Sequence, residues 1–358
     1  MDAKLHKKLS ERQEKGTLRS LSSFEGFVDF FSNDYLGVAK YGKTSLEASG
    51  STGSRLLSGN SEKYGDLENQ FAAFFRSEAA LHFNSGYDAN LGIFSTIPQK
   101  GDTILYDELI HASVRDGVRL SWAKSFSFRH NDLEHLESRL QKAEGVIYVA
   151  VESLYSMDGD LAPLDEIAAL CSKYGAYLIV DEAHSGGIFG ESGRGLVDQL
   201  GLSDEVFIRL MTFGKAYGSH GSLVLCDNET RQFLINFCRS FIYSTSLPVS
   251  VVQHNYKVAT DPDLDQGRNR LQVVLKRYRQ RAGALRFISD PSSPIQILEI
   301  GSVSKTREIA EKLQAHKIAV KPIYSPTVPE GKERLRICLH AYNLTSEIDQ
   351  LISVIDSE

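Results

Sequence analysis

The chain has 358 residues, 42% of them hydrophobic, enough to build one large domain or two moderate ones around a substantial core. Its formal charge of −6, with no long basic run, gives no electrostatic footprint for nucleic acid. Cys171, Cys226, Cys238 and Cys338 form no CxxC pair, which fits a reduced cytoplasmic protein better than a disulfide scaffold, and no metal site is expected. No apolar run approaches the ~20 residues that span a bilayer, and MDAKLHKKLSERQEKG carries charges where a signal peptide needs an apolar stretch.

In chain order, residues 5–19 read as a charged amphipathic helix and residues 67–75 have helical periodicity. The apolar run 80–83 then enters a Ser-Gly turn. Residues 103–106, 146–151 and 177–180, with Val206–Thr212 and Ser222–Cys226, are apolar runs of strand length. Helical stretches at 132–141 and Leu164–Tyr174 lie between them. Strands alternating with helices predict an α/β fold with a mostly parallel central sheet covered on both faces. Beyond Pro248 the pattern predicts a long polar helix (271–284), strands at 295–300 and 335–339, and helices at 305–316 and 346–355. The expected division is a helical segment (1–30), a large domain (31–248) and a small C-terminal α/β domain (249–358).

Ligands of open α/β sheets bind outside the carboxyl ends of the strands, and several polar residues fall there. One strand runs straight into Asp181, with His184 three residues on. A buried carboxylate needs a cation or a donor, and a protonated pyridine nitrogen is such a partner. Taken alone, DEAH leaves open a capping Asp with a core His, a metal site or a helicase-like box; no GxxxxGK[ST] precedes it, which removes the nucleotide reading. Lys215 follows another apolar strand in a turn with Gly214, Gly218 and Gly221, where space and partial desolvation suit a lysine that bonds to an aldehyde. The hydroxyl of Thr212 lies three residues before it. The Gly86–Tyr87 turn opens a helix whose free N–H groups suit a phosphate, or only an ordinary Ser-Gly cap. His111 and Ser156 stand just past two further strands, where a turn or core residue would also fit.

In this order these residues resemble one family, the α-oxoamine synthases, a branch of the fold type I pyridoxal-phosphate enzymes, over residues 31–351. The motifs are SNDYLG (32–37), GSR (53–55), the Gly86 turn, His111, SMDGD (156–160), DEAH (181–184), TFGK (212–215) and YSTSLP (243–248). The resemblance implies a fold type I transferase with pyridoxal 5′-phosphate as cofactor. Lys215 would carry it and act as the base, Asp181 would pair with the pyridine nitrogen and His184 with the ring oxygen. His111 would stack on the ring and face the substrate, and Ser156 would lie near the ring oxygen. The Gly86–Tyr87 amides and Thr212 would hold the phosphate, and Thr245 would reach it from the second subunit of a homodimer. Arg336, helped by Asn33, would bind the substrate carboxylate; Thr327 and Arg19 would line the acyl substrate's approach.

The implied reaction is decarboxylative condensation of an amino acid with an acyl-CoA or acyl carrier protein thioester. RHND (129–132) and PTVP (326–329) point within the family to L-alanine and a pimeloyl thioester, in biotin synthesis. Glycine C-acetyltransferase, serine palmitoyltransferase and 5-aminolevulinate synthase share nearly all the cofactor residues and stay open as alternatives. A non-catalytic relative would be marked by loss of Lys215. Three departures from the family pattern stand out: a shortened stretch between Gly37 and Gly53, Tyr64 where a histidine is common, and Gly221-Ser222 where two glycines are frequent.

Overall fold

A computed structural model describes residues 13–16, 26–30, 32, 34–38, 50–283 and 288–356. The chain forms two compact units, the larger from Asp34–Ser156 and Asp160–Arg270, the smaller from Met1–Asn33, Met157–Gly159 and Leu271–Glu358. By compactness, the C-terminal division falls between Arg270 and Leu271. The helix Val249–Ala259 buries Val251, Val252 and Val258 in one core cluster with Phe71 and Phe213, which binds it to the larger unit.

Strands are numbered in chain order, and β1 (Val28–Asp29) belongs to the smaller unit. The larger holds β2 (Ala79–Phe83), β3 (Thr103–Asp107), β4 (Lys124–Phe128), β5 (Ile147–Glu152), β6 (Tyr177–Asp181), β7 (Val206–Thr212) and β8 (Ser222–Cys226). They form one sheet in the order β2-β8-β7-β6-β5-β3-β4. Only β8 runs against its neighbours; the pairs β3–β4, β3–β5, β5–β6 and β6–β7 are parallel. Because both faces are covered, the central strands are apolar almost throughout, and successive residues feed opposite cores. Leu210 and Val224 enter a cluster with Ile93, Val114 and Ile179, while Met211 and Leu223 enter one with Phe71, Phe213 and Val252. Each such side chain, fully buried, contributes about 1.5–3 kcal/mol. The edge strand β4, Lys-Ser-Phe-Ser-Phe, escapes the sequence pattern because it is mostly exposed.

Gly86–Thr96 is a helix that lies close against the helix Ala112–Leu120. A Cβ on Gly117 would come within 2.9 Å of the Asn90 carbonyl oxygen and of Phe94 Cβ, so glycine is what lets the two helices approach.

In the smaller unit, β1 pairs in parallel with β10 (Ile318–Ala319). An antiparallel sheet has the order β11 (Lys321–Ile323), β12 (Arg334–Cys338), β9 (Ile295–Glu299). Helices Val303–Ala315 and Thr345–Asp356 complete the unit. The long helix expected over 271–284 starts earlier, at Leu264. The sequence pattern of β12 by itself predicts a solvated face for Arg334, Arg336 and Cys338, but the strand is central and all five of its residues are buried. Arg334 pairs there with Asp158. Most of the helix expected over 5–19 lies outside the described residues. No helix among the described residues is long and apolar enough to cross a membrane.

Candidate active site

The carboxyl ends of β5, β6 and β7 open on a cavity of about 250 Å³. Its wall includes Gly86, Tyr87, His111, Asp181, His184, Thr212 and Lys215, seven of the residues singled out from sequence, together with Asn90, Ser113 and Glu152. Its volume, just below the ~300–1,000 Å³ usual for ligand clefts, suits a small molecule.

One end of the cavity is built for an anion. Ser85 caps the helix Gly86–Thr96, its hydroxyl accepting from the Asp88 N–H, and the first N–H groups of any helix have no intrahelical acceptor. A Cβ on Gly86 would sit 2.7 Å from Thr212 Cγ2, so only glycine lets this helix start against the end of β7. The Thr212 hydroxyl donates to the Ala183 carbonyl at 3.3 Å. The Tyr87 side chain turns outward to donate to Asp116.

Asp181 ends β6 and is 8% exposed. Its Oδ1 accepts from the Ala183 N–H at 2.9 Å and its Oδ2 from Asn90 Nδ2 at 2.8 Å. The second Asn90 hydrogen goes to Ser113 Oγ at 3.0 Å, and Ser113 Oγ lies 2.7 Å from His111 Nδ1. The Ser113 N–H also donates to that nitrogen at 3.2 Å, so the network assigns the imidazole proton to Nε2. Burial, aided by the charge of Lys215 and opposed by Asp181, holds the His111 pKa below its ordinary value. His111 therefore stays a neutral ring that can lie against a planar ligand. His184 is buried and hydrogen-bonded through Nδ1 to the hydroxyl of Tyr35, 2.9 Å away.

Lys215 occupies a turn closed by Phe213 N–H to Gly221 O, Ser219 N–H to Phe213 O and Gly218 N–H to Lys215 O. Gly218 and Gly221 have positive φ, and a Cβ on Gly221 would also meet Leu247 Cδ1 at 2.6 Å. Gly214 has neither constraint. The donor set suits a phosphorylated pyridine aldehyde: N–H groups and a hydroxyl for the phosphate, a carboxylate for the ring nitrogen, an amine for the aldehyde and a neutral imidazole for the ring face.

Ser156 and Thr245, of the same unit, are not among the residues lining this cavity. Ser156 is half-buried, and its backbone N–H lies against Glu152. Thr245 lines a different, smaller cleft with Arg55 and Tyr64, and its carbonyl accepts from Asn84 at 2.7 Å. The Tyr64 hydroxyl donates to the Leu247 carbonyl and its ring lies 3.9 Å under the Arg55 guanidinium, so this tyrosine holds a loop. Thr327 and Arg336 belong to the smaller unit, where Arg336 Nη1 lies 3.0 Å from Cys338 Sγ. Arg19 and Asn33 lie outside the described residues. Sequence reasoning gave no role to Tyr35, Asn90, Ser113 or Glu152. Glu152 could have been found by the argument used for Asp181, since it too is a carboxylate ending an apolar strand; the other three take their places only through tertiary packing.

The family model for aminotransferase class I and II matches residues 25–355. The chain belongs to that family, to its fold type I pyridoxal-phosphate transferases and, among these, to the α-oxoamine synthases. It is similar to the 8-amino-7-oxononanoate synthase of Emericella nidulans, with 39% identity over 98% of this chain and 94% of that one. Among solved structures it is similar to the serine palmitoyltransferase of S. paucimobilis with bound PLP (TM-score 0.88, 28% identity, 99% and 96% of the two chains). It is also similar to the 8-amino-7-oxononanoate synthase of Francisella tularensis (TM-score 0.80, 29% identity, 93% and 98%).

Proposed function

We propose that the protein condenses L-alanine with a pimeloyl thioester, on coenzyme A or acyl carrier protein, releasing thiol and CO₂ to give 8-amino-7-oxononanoate for biotin synthesis. The observation that carries this reading is the 39% identity to a curated 8-amino-7-oxononanoate synthase over 98% of the chain. The cofactor is pyridoxal 5′-phosphate; when bound, its ring supplies an electron sink that lets an amino acid lose its Cα proton near neutral pH.

The chain's own residues do the rest. Lys215 would hold the cofactor, and its Nζ would serve as the base that takes the substrate's Cα proton. Asp181, its two oxygens already oriented by Ala183 N–H and Asn90, keeps a proton on the ring nitrogen. His184, fixed by Tyr35, addresses the ring oxygen with Ser156. His111 covers the ring face and screens the reacting carbon from water. The Gly86 and Tyr87 amides with Thr212 anchor the phosphate, and Thr245 reaches it from a second copy of the chain in a cytoplasmic homodimer. Arg336 and Asn33 grip the substrate carboxylate, while Thr327 and Arg19 line the acyl path.

A second reading, condensation of serine with a long acyl thioester, is favoured by the higher TM-score to serine palmitoyltransferase, 0.88 against 0.80. The two are separated by the absorbance response of the holoenzyme to alanine, glycine and serine, then by thiol release with acetyl, pimeloyl and palmitoyl thioesters. The first reading expects alanine with pimeloyl to give the fastest release. Serine with palmitoyl would replace it by the second, and no release with any pair would overturn both.

A further inference from the structure

Glu152 is the last residue of β5, and its register partner on the parallel strand β6 is Asp181, so two carboxyls stand side by side at one end of the sheet. It lines the same cavity as Lys215 and His111 and is 3% exposed. The backbone N–H groups of His111 and Ser156 face its carboxyl, yet Oε1 has no hydrogen-bond partner among the described residues. Buried polar atoms are nearly always satisfied, so an orphan in the wall of a ligand cavity marks a place for a ligand atom.

The charged and titratable groups facing Glu152 are Asp181 from β6, Lys215 from the turn after β7 and Tyr155 from its own loop, while His111, from the loop after β3, presents its backbone N–H. Asp107, at the end of β3, is turned toward His130. Burial first, then the charge of Asp181, pushes the Glu152 carboxyl up to about 8, with Lys215 and the two N–H groups opposing. Two adjacent buried anions would repel, and one proton on Glu152 removes that repulsion.

We propose that Glu152 is a further cofactor-contacting residue, a carboxylic acid that donates a hydrogen bond from the cavity wall to an acceptor atom of the bound pyridoxal group. The inference rests on the reading that this cavity holds pyridoxal phosphate. Losing the proton removes the donor and places a second anion beside Asp181, so cofactor binding is linked to one proton on Glu152. The Kd for pyridoxal phosphate is then about tenfold higher at pH 9 than at pH 7.

The test is equilibrium dialysis of the holoenzyme at both pH values, comparing wild type with Glu152→Gln and Glu152→Leu, with thermal melts alongside. The amide keeps a donor and has no proton to lose, so Glu152→Gln is expected to bind within about threefold of wild type at pH 7 and to lose the pH dependence. Glu152→Leu has no donor and is expected to bind about tenfold more weakly at pH 7. Wild-type pH dependence retained in Glu152→Gln, or wild-type affinity in Glu152→Leu, overturns the proposal. Borohydride labelling of Lys215 in each protein separates the two levels. Label on Lys215 with either of those results removes only the role of Glu152, whereas no label in wild type removes the pyridoxal reading itself.

Discussion

Asp181 and Glu182 are neighbours in sequence, both buried, yet they point into regions that obey opposite rules. Glu182, 0% exposed, accepts from Arg209 Nε at 2.9 Å, Val197 N–H at 3.0 Å and Ser185 Oγ at 2.9 Å. Arg209 spends its other donors on the carbonyls of Phe75 and Arg194. That cluster is closed, with all three guanidinium nitrogens of Arg209 bonded to protein. On the Asp181 side the wall keeps an orphan oxygen at Glu152, a helix N-terminus with open N–H groups and a lysine in a glycine turn. The Glu182 cluster finds its partners within the fold, whereas the Asp181 side leaves polar groups facing a cavity. Period-2 alternation past the end of β6 puts the two acids of one motif on different sides of that distinction.

The contrast can be broken by substitution. Lys215→Ala is expected to cut turnover by about 10³-fold or more while leaving the thermal melt unchanged, because it removes both the cofactor attachment and the base. Arg209→Ala should do the reverse. It leaves Glu182 buried and uncompensated, a loss of about 3–5 kcal/mol read as a lower denaturant midpoint, with the Lys215 chemistry intact in whatever folds. If Arg209→Ala lost activity without losing stability, the closed cluster would have to be counted as part of the site. Asp181→Asn is expected to slow Cα-proton exchange by about 10²-fold at unchanged stability, since an amide cannot hold the ring-nitrogen proton. Exchange at the wild-type rate would make Asp181 structural.

Two arginines on β12 offer a further test, one proposed for the substrate carboxylate and one held in an ion pair. Arg336→Lys keeps the charge but loses the planar fork, and is expected to raise the alanine requirement about tenfold and slow Cα-proton exchange. Arg334 is ion-paired with Asp158 and donates to the Lys332 carbonyl. Arg334→Lys should therefore cost about 1 kcal/mol of stability with the alanine requirement unchanged. Equal effects at the two positions would contradict the proposed carboxylate role of Arg336.

The smallest effect expected is at His130, held between Asp107 at 2.9 Å and Asp160 at 2.7 Å. Burial opposes its charge, but the hydrogen bonds and charges of the two aspartates outweigh that and raise its pKa to about 10 from 6.5. A folded value above the unfolded one means this stabilisation is complete below about 6.5 and is lost as pH rises through about 10. Melts across that range should fall with pH in wild type and fall less in His130→Gln. Parallel curves would show that the clasp contributes nothing.

Much of this was legible in the chain itself. β2, β3, β5, β6, β7 and β8 stand out because strands buried on both faces are apolar throughout. Asp181, Lys215 and the Gly86 turn stand out because each breaks such a run at its carboxyl end. What the chain hid has physical causes. β4 is an exposed edge with serine and lysine at its start. Asn90 and Ser113 lie on helices far apart in sequence, and only the close approach at Gly117 brings them into one hydrogen-bond path. Arg334 looked solvated because alternation shows which residues share a face, not what covers that face.

The central claim is that Lys215 holds pyridoxal phosphate in the cavity at the ends of β5, β6 and β7. Borohydride reduction of the purified holoenzyme, followed by peptide mapping, tests it most directly. The account expects the absorbance band to disappear and the reduced cofactor to be found on Lys215 alone. Label on a different lysine, or a protein that takes up no cofactor to reduce, would contradict it.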